Sequence, residues 1–273
     1  MSIAFKGRLV LVGCGKMGGA MLEVWLKAGV PSAKIIGLDP KPPQEMAEFI
    51  AEHKITLNPN VARIADAEVI ILAVKPQLMA DVLPTLLPLM KSNPLVLSIA
   101  AGKTIGGFEK TFGVGAAVIR AMPNTPAAIG RGITGMVGNS QVSPAQMALA
   151  EALLSSTGEV LRVNDEAAID FVTAVSGSGP AYVFYLAECL AAAGEKLGLP
   201  ADVAMKLARA TVSGSGELLH QSTQDAATLR QNVTSPNGTT YAALQILMAD
   251  DGLKPLMEKA VKAAASRSKE LAG

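Results

Sequence analysis

In the first 163 residues of the chain, continuous runs of apolar residues alternate with segments in which apolar residues recur at the spacing of an α-helix. The runs are rich in Val, Ile and Leu and lack polar alternation, which predicts parallel strands covered on both faces. Between the runs, apolar residues recur at helical spacing, as at Met21, Val24 and Ala28. Predicted strands are residues 9–12, 35–38, 55–57, 68–74, 95–99, 116–120, 132–137 and 159–163. Predicted helices are residues 17–28, 44–52 and 78–90. A fourth predicted helix begins with a capping box formed by Ser143 and Gln146 and ends at Gly158.

The pattern changes at about Asn164, where strand signals vanish and alanine, leucine and methionine dominate. We therefore predict an α/β fold with two domains. Residues 1–163 form a parallel-sheet domain, and residues 164–273 form an all-α domain. Its predicted helices are residues 165–175, 181–197, 201–220, 226–232, 240–251 and 253–271.

The helix predicted over residues 181–197 is apolar on nearly every side. Such a helix should be buried all round, yet a small helical domain has too little core to surround it. Half of all residues in the chain are hydrophobic, 50% by count, which adds to the apolar surface that needs cover. We therefore expect a homodimer with interleaved helical domains.

Three glycines with G-x-G-x-x-G spacing connect the first strand to the first helix. Gly13 permits a tight turn, Gly15 lets a phosphate approach the backbone, and Gly18 lets the helix pack close to the sheet. A pyrophosphate would bind the exposed amides there, where the helix dipole favours negative charge. The predicted cofactor-binding residues of this loop are Gly13, Cys14, Gly15, Lys16, Met17 and Gly18.

The second strand ends at Asp39, at the distance where an acid accepts a hydrogen bond from a ribose 2′-hydroxyl. In open α/β sheets, ligands bind beyond the carboxyl ends of the strands. Five loops of this chain belong to that edge, and we call them the cofactor rim. They are the loops at Gly13, Asp39, Lys75, Ala100 and Asn124.

Composition excludes several classes of function. A net charge of +1 with 17% charged residues gives neither a nucleic-acid footprint nor a polybasic membrane patch. No apolar stretch has the length of a membrane span, and the first apolar run leads into the glycine loop rather than a signal-peptide cleavage site. The two cysteines, Cys14 and Cys189, form no disulfide framework, and Cys189 is expected in the core. We expect a cytoplasmic protein.

Two polar, glycine-rich interruptions, residues 176–180 and 234–240, are predicted to break the helical domain. Their small residues would expose amides and hydroxyls near helix N-termini, which suits a carboxylate, although ordinary capped turns have the same composition. We therefore predict that residues 1–163 are a Rossmann-type dinucleotide-binding sheet domain and that residues 164–273 are an all-α dimerisation and substrate domain.

The usual catalytic side chains are missing from the pattern. His53 and His220 are expected at the surface, and neither metal-ligand clusters nor paired carboxylates are visible. Hydride addition to a protonated C=N bond needs little beyond positioning and one hydroxyl donor, whereas a hydroxy-acid dehydrogenase needs a base. The sequence therefore favours an imine reductase.

Six motifs in one order carry a resemblance to a known family. With them, the chain resembles the pyrroline-5-carboxylate reductases, the enzymes of the last step of proline biosynthesis, over nearly its full length. The motifs are residues 13–18 (GCGKMG), 73–77 (AVKPQ), 98–102 (SIAAG), 120–126 (RAMPNTP), 174–182 (AVSGSGPAY) and 233–240 (VTSPNGTT).

The resemblance implies reduction of Δ1-pyrroline-5-carboxylate to L-proline by NADPH or NADH, in a homodimer or a ring of such dimers. It implies that Thr240 is the catalytic residue, hydrogen-bonded to the ring nitrogen of the substrate. Ser176, Ser235, Gly238 and Thr239 would surround the substrate carboxylate, together with Thr240. The further cofactor-binding residues it implies are Asn60, Ala73, Val74, Lys75, Pro76, Ala100, Ala101 and Gly102.

The chain departs from the family pattern at several positions. Asn237 stands where a glycine is usual, and asparagine tolerates the left-handed conformation that the turn needs. Ala192 replaces a common aspartate, which removes one polar contact. Asp39 would repel a 2′-phosphate and favours NADH, while Lys41 is close enough to compensate and permit NADPH.

Three alternatives stay open. The chain could reduce another cyclic imine, act as a β-hydroxyacid dehydrogenase, or sense dinucleotides without catalysis. The dehydrogenase would need Lys-x-x-x-Asn in the helical half, and Lys196, Lys206 and Lys254 lack that asparagine. A sensor would lack the small-residue substrate loops, and both are present here.

Overall fold

The computed structural model describes residues 3 and 5–272 of the chain. Its residues group into two compact units, one of Met1–Gly177 with Ala265–Gly273 and one of Ser178–Ala264. The first unit is therefore discontinuous in sequence, and it includes helical residues beyond position 163. The domain boundary between residues 163 and 164 stays a prediction.

One eight-stranded sheet forms the centre of the first unit, in the order β3-β2-β1-β4-β5-β6-β7-β8. Strands β1 to β6 are parallel, β7 is antiparallel to β6, and β8 is parallel to β7. The first six strands thus have the order of a Rossmann fold, whose switch point lies between β1 and β4. The strands are β1 (Arg8–Val12), β2 (Ile35–Leu38), β3 (Thr56–Leu57), β4 (Ala67–Leu72), β5 (Leu95–Ser98), β6 (Val118–Met122), β7 (Gly132–Gly138) and β8 (Gly158–Arg162).

Successive residues of the central strands point to opposite faces, and both faces are covered. Leu9 and Leu11 join one buried cluster, whereas Val10 and Val12 join the other. This double cover explains the continuous apolar runs in the sequence. Helices α1 (Lys16–Lys27), α2 (Gln44–Glu52) and α5 (Pro144–Ser155) cover the first face, and α3 (Met79–Val82) and α4 (Ile105–Phe112) cover the second.

One helical prediction in the sheet unit needs correction, and one helix of that unit lies outside the predictions. The segment 78–90, predicted as one helix, is α3 flanked by 3₁₀ turns at Pro76–Leu78 and Leu83–Ser92. Pro88 within the second turn lacks the amide that an α-helix needs. Helix α4 was not predicted, because Gly106 and Gly107 weaken its propensity. Thr104 nevertheless caps it by accepting a hydrogen bond from the Gly107 amide at 3.1 Å.

The capping box at α5 is confirmed. The Gln146 amide donates to Ser143 Oγ at 3.2 Å, and the Ser143 amide donates to Gln146 Oε1 at 3.0 Å. On the same face, Trp25 is fully buried, and its Nε1 donates to the Leu153 carbonyl at 2.9 Å. This bond fixes α1 to α5 over the sheet.

The segment 176–180 is not the interhelical loop that the sequence predicted. Helix α6 (Ala168–Val172) passes directly into a π-helical turn at Thr173–Gly177, and α7 (Gly179–Lys196) begins after Ser178. Serine and glycine at positions 176 and 177 suggested a break, but wider i to i+5 hydrogen bonding accommodates them within helical structure. Pro180 lies in the first turn of α7, where its missing amide removes no helical hydrogen bond.

Helices make up the second unit, and α7 packs against α8 through Ala191, Ala204 and Ala208. Most of α7 is exposed within one chain, including Phe184 at 62%, so the predicted burial on all sides is not achieved by this chain alone. Cys189, expected in the core, is exposed as well. The remaining helices are α8 (Ala201–Gln221), α9 (Ala226–Asn232), α10 (Thr239–Leu247) and α11 (Leu253–Ala272), whose last turns belong to the first unit. Among the described residues, no helix has the length and apolar character needed to cross a membrane.

Candidate functional site

The loops of the cofactor rim lie at one edge of the sheet, because β1 to β6 are parallel. Backbone hydrogen bonds join neighbouring strands where they end. The Gly13 amide donates to the Leu38 carbonyl at 2.9 Å, and the Ala73 amide donates to the Val12 carbonyl at 2.8 Å. The structure therefore brings together the strand ends that the sequence placed on this edge.

Each glycine of the first turn has the geometry that its predicted role requires. Gly13 has φ of +95°, and a Cβ there would lie 2.8 Å from the Ala73 carbonyl. A Cβ on Gly18 would lie 2.1 Å from the Gly13 oxygen, so the helix packs against the turn at a distance only glycine allows. Apart from residues 14–16 themselves, no atom of the described chain lies within 4 Å of a Cβ built on Gly15. The backbone there is open to an approaching phosphate.

Helix α1 presents free amides beside this opening. Gly15 is its N-cap and supplies no side-chain cap, and the first turn contains no acidic residue. The leading amides of a helix have no partner within the helix and carry the positive end of its dipole. The turn and the helix therefore fit a pyrophosphate group.

Asp39 is held beside the same turn by backbone hydrogen bonds. Its Oδ2 accepts from the Cys14 amide at 2.8 Å, and its Oδ1 accepts from the Lys41 amide at 2.9 Å. The Asp39 backbone pairs with the Asn58 side chain, which accepts from the amide at 2.8 Å and donates to the carbonyl at 2.7 Å. Sequence reasoning missed Asn58, because pairing across 19 residues leaves no local signal.

Cys14 contributes its backbone rather than its thiol. Burial, and secondarily the negative charge of Asp39, raise the pKa of the Cys14 thiol to about 12. Its side chain therefore stays protonated and unreactive at neutral pH.

The other predicted cofactor residues vary in exposure along the rim. Asn60 is exposed and caps the 3₁₀ turn Val61–Arg63 by accepting from the Ala62 amide at 3.0 Å. Lys75 is exposed at the start of the turn Pro76–Leu78, and the side chain of Val74 lies against Gly13.

The loop after β5 is more enclosed. Ala100 and Gly102 are buried, and Ala101 is half-buried. Gly102 has φ of +64°, and a Cβ on it would lie 2.8 Å from Cβ of Leu271, near the end of α11. The last turn of α11 therefore packs directly on this part of the cofactor rim.

Asn124 follows β6 and is 8% exposed. Its Oδ1 accepts a hydrogen bond from the Ile133 amide at 3.0 Å, which ties the loop to the start of β7. This oxygen therefore holds the loop in place, and a contact of Asn124 with the cofactor stays a prediction.

The segment 234–240, which we call the substrate turn, opens helix α10 in the second unit. Gly238 is the N-cap, its amide donates to the Ser235 carbonyl at 3.1 Å, and a Cβ on it would lie 2.3 Å from Ser235 Oγ. Asn237 has φ of +56°, which confirms the left-handed conformation expected of it. Thr239 and Thr240 occupy the first turn of α10, whose N-cap supplies no side-chain hydrogen bond. The turn thus offers free amides and hydroxyls at a helix N-terminus.

Ser176 lies in the π turn of the first unit, where its Oγ donates to the Val172 carbonyl at 3.0 Å. The hydroxyl oxygen retains lone pairs that can accept a hydrogen bond. Its predicted contact with the substrate carboxylate stays a prediction.

A Rossmann-type sheet with an open glycine turn and an acid at the end of β2 defines the class of dinucleotide-binding oxidoreductases. Two family profiles match the chain. One is described as pyrroline-5-carboxylate reductase dimerisation and matches residues 166–271, and the other, described as NADP oxidoreductase coenzyme F420-dependent, matches residues 8–102.

Known proteins resemble the whole chain. Pyrroline-5-carboxylate reductase of Pseudomonas aeruginosa is 43% identical, with 97% of each chain covered, and that of Synechocystis is 39% identical, covering 97% of this chain and 98% of the relative. The solved pyrroline-5-carboxylate reductase of Coxiella burnetii has a TM-score of 0.91 at 33% identity and covers 98% of this chain and 100% of its own. A Plasmodium falciparum pyrroline carboxylate reductase with NADP bound has a TM-score of 0.82 at 28% identity, covering 98% and 99%.

The chain belongs to the pyrroline-5-carboxylate reductase family. The predicted family, the α/β fold class and the predicted NAD(P)H-dependent reductase activity are confirmed by these relatives.

Proposed function

We propose that this chain reduces Δ1-pyrroline-5-carboxylate to L-proline with NADH or NADPH as hydride donor. The hydride adds to the carbon of the C=N bond, the ring nitrogen carries a proton, and the oxidised dinucleotide leaves. The observation that carries the proposal is the glycine turn, which is open at Gly15 and leads into helix α1, whose N-terminus has no side-chain cap. The chain that contains this turn is 43% identical to a pyrroline-5-carboxylate reductase. The dinucleotide supplies the hydride, and the chain supplies positioning and charge.

The cofactor role belongs to the first unit. In the proposal, the amides of residues 13–18 bind the pyrophosphate and Asp39 accepts from the adenosine ribose. Asn60, residues 73–76, residues 100–102 and Asn124 line the cleft around the rest of the dinucleotide.

The substrate role belongs to the substrate turn and the π turn. The free amides at the start of α10, with Ser235, Gly238 and Thr239, would bind the substrate carboxylate, because a helix N-terminus favours an anion. Ser176 would contribute from the π turn. The Thr240 hydroxyl would hydrogen-bond the ring nitrogen and fix its position during hydride transfer.

The assembly we propose is a homodimer built through the helical part, with a ring of such dimers as its larger form. The exposed apolar side chains of α7 support it, as does the profile named for dimerisation over residues 166–271. A cytoplasmic location without nucleic-acid or membrane partners agrees with the net charge of +1.

The test is initial-rate oxidation of NADH and of NADPH with pyrroline-5-carboxylate at neutral pH, with assays lacking the imine as blanks. We expect imine-dependent oxidation and formation of proline. A parallel assay with a six-membered cyclic imine that carries the same carboxylate tests the alternative that the chain reduces another cyclic imine. Turnover of that analogue alone would replace the proposed substrate, and no turnover by protein that binds the dinucleotide would favour the sensor.

A further inference from the structure

A buried arginine lies at the centre of a charge cluster in the first unit. The Arg120 side chain on β6 is 2% exposed. Its two terminal nitrogens pair with different carboxylates, Nη1 with Glu166 Oε1 at 3.2 Å and Nη2 with Asp170 Oδ1 at 3.3 Å. Ser268 Oγ donates to the same Asp170 oxygen at 2.7 Å. We call these four residues the Arg120 cluster.

Stability alone does not explain a cluster of this kind. Arg120 and Asp170 are nearly fully buried, with side chains 2% and 9% exposed, whereas that of Glu166 is 31% exposed. Taking the guanidinium and the Asp170 carboxylate out of water costs energy that their attraction only partly returns, and apolar replacements of buried ion pairs are often neutral or stabilising. The Arg120 cluster does provide direction, because a planar guanidinium holds two anions at fixed angles.

Within the first unit, the cluster joins the loops of the cofactor rim to the helical segment that carries Ser176. Glu166 Oε1 also accepts from the Ile105 amide at 2.7 Å, and Ile105 begins α4 directly after the loop that contains Gly102. Asp170 lies in α6, whose next residues form the π turn with Ser176. Arg120 lies two residues before the end of β6, where the loop of Asn124 begins.

A second contact fixes the far end of the same helical segment. A Cβ on Gly177 would lie 3.4 Å from the sulfur of Met122, the last residue of β6. Strand β6 therefore holds the segment 166–177 at two points, through charge at Arg120 and through packing at Met122. Ser176 lies between these two points of attachment.

We propose that Arg120 is a positioning residue, which fixes Ser176 of the π turn relative to the cofactor rim through its hydrogen bonds with Glu166 and Asp170. This inference rests on the proposed function, in which Ser176 contacts the substrate and the rim contacts the nicotinamide cofactor. Hydride transfer requires the reacting carbons about 3–3.5 Å apart, and a misplacement of about 1 Å can cost about a hundredfold in rate.

The first test compares Arg120→Lys with Arg162→Lys. Lysine at position 120 keeps the charge but loses the planar fork, so we expect kcat to fall about tenfold to a hundredfold while cofactor Kd is unchanged. Arg162 pairs with Glu151 at the surface, its side chain is 55% exposed, and its lysine variant should match wild type. Wild-type kcat in both variants would overturn the proposal.

The second test removes the charges together, in the triple variant Arg120→Met, Glu166→Gln and Asp170→Asn. The two side-chain amides keep acceptor oxygens for Ile105 and Ser268, and no buried charge is left unpaired, so the protein should fold, with a modest loss of thermal stability from the new buried N–H donors. We still expect low kcat, because the guanidinium that orients the segment is gone. A stable triple variant with full kcat would show that the cluster only balances charge, and the proposal would fail.

Hydrogen exchange gives a readout that does not depend on turnover. In Arg120→Lys, amides of residues 173–177 should exchange faster than in wild type, while those of α5 should not change. Unchanged exchange in the π turn would overturn the positioning role even if activity fell. If wild type itself fails to reduce pyrroline-5-carboxylate, the proposed function falls, and the exchange rates still decide whether Arg120 holds the Ser176 turn.

Discussion

The backbone amide of Cys14 donates a hydrogen bond to Oδ2 of Asp39 at 2.8 Å. This bond joins the glycine turn after β1 to the acid that ends β2, and the Lys41 amide holds the second carboxylate oxygen at 2.9 Å. Each oxygen still has a lone pair free to accept from a ribose hydroxyl. A negative charge is thus fixed in orientation beside the turn before any ligand arrives.

Replacing Asp39 by asparagine should shift cofactor use toward NADPH. The variant removes the charge that opposes a 2′-phosphate but keeps one acceptor oxygen for the Cys14 amide. We expect the ratio of kcat/KM for NADPH to that for NADH to rise about tenfold, which corresponds to about 1.4 kcal/mol. Steady-state rates with both cofactors measure it, and Asp81→Asn, at an exposed acid of α3, is the control. If Asp39→Asn leaves this ratio unchanged and Lys41→Ala abolishes the use of NADPH, then Lys41 rather than Asp39 discriminates between the two cofactors.

Alanine at Gly15 and at Gly18 should have opposite effects. At Gly15 the methyl group meets open space, so stability should stay near wild type while cofactor Kd rises, because the methyl group occupies the path of the pyrophosphate. At Gly18 the methyl group would meet the Gly13 oxygen at 2.1 Å, and overpacking of this kind costs about 1–3 kcal/mol. Thermal unfolding and dinucleotide titration separate the two. Equal affinity for wild type and Gly15→Ala would argue against a pyrophosphate at this turn.

Thr240→Ala should lower turnover with little change in cofactor binding. The Thr240 hydroxyl positions the ring nitrogen, and a misplacement of about 1 Å can cost about a hundredfold in rate, so a loss of that order in kcat is expected. Thr240→Ser keeps the hydroxyl and should retain most activity. Weakened cofactor binding in the alanine variant, with kcat unchanged, would remove Thr240 from its catalytic role.

The raised pKa of Cys14 predicts a loss of stability in alkali. The thiol ionises near its usual value of 9.0 in the unfolded chain but near about 12 in the fold. Between these values the unfolded state binds fewer protons, so the free energy of unfolding falls as pH rises, by at most about 1.4 kcal/mol per pH unit. Below pH 9 both states keep the proton and the effect disappears. Denaturant unfolding at several pH values should show a steeper decline for wild type than for Cys14→Ala, and parallel curves would contradict the assignment.

A charge on α7 should disrupt the dimer. Phe184 is 62% exposed within one chain, and an aspartate there would need to be buried against a second subunit. We expect Phe184→Asp to reduce the mass measured by light scattering toward that of a monomer. Val114→Asp, at an apolar residue of the first unit that is 80% exposed, should not alter the mass. A dimeric Phe184→Asp variant would place the interface on another surface.

The apolar runs of the sheet were predictable because their signal is local. The run at Leu9 and the run at Val69 are buried in the structure, and the parallel pairing of β1 with β4 follows from helices between them. The glycine turn was predictable for the same reason, since Gly13, Gly15 and Gly18 act within one strand and one helix.

The features that sequence reasoning missed depend on contacts between distant residues. Arg120 meets Asp170 across 50 residues, and Asp170 meets Ser268 across 98. No local pattern marks such partners, so the arginine in the fourth motif had no role assigned before the structure. The π turn was missed for a different reason, because Ser176 and Gly177 have the composition of a loop although their backbone is helical.

The packing of Leu271 on Gly102 has a consequence for biosynthesis. Residues 265–272 complete a unit whose other residues precede position 178, so the ribosome has made the whole sheet before its last piece exists. Until then three residues of this unit lack their neighbours from α11, namely Gly102, Phe171 and Asp170. The neighbour of Phe171 is Lys269, whose Nζ lies 5.2 Å from the centre of the Phe171 ring. Folding of the first unit can therefore be completed only after residues 265–272 have been synthesised. A fragment cut after residue 177 should remain a partly ordered folding intermediate rather than a functional half.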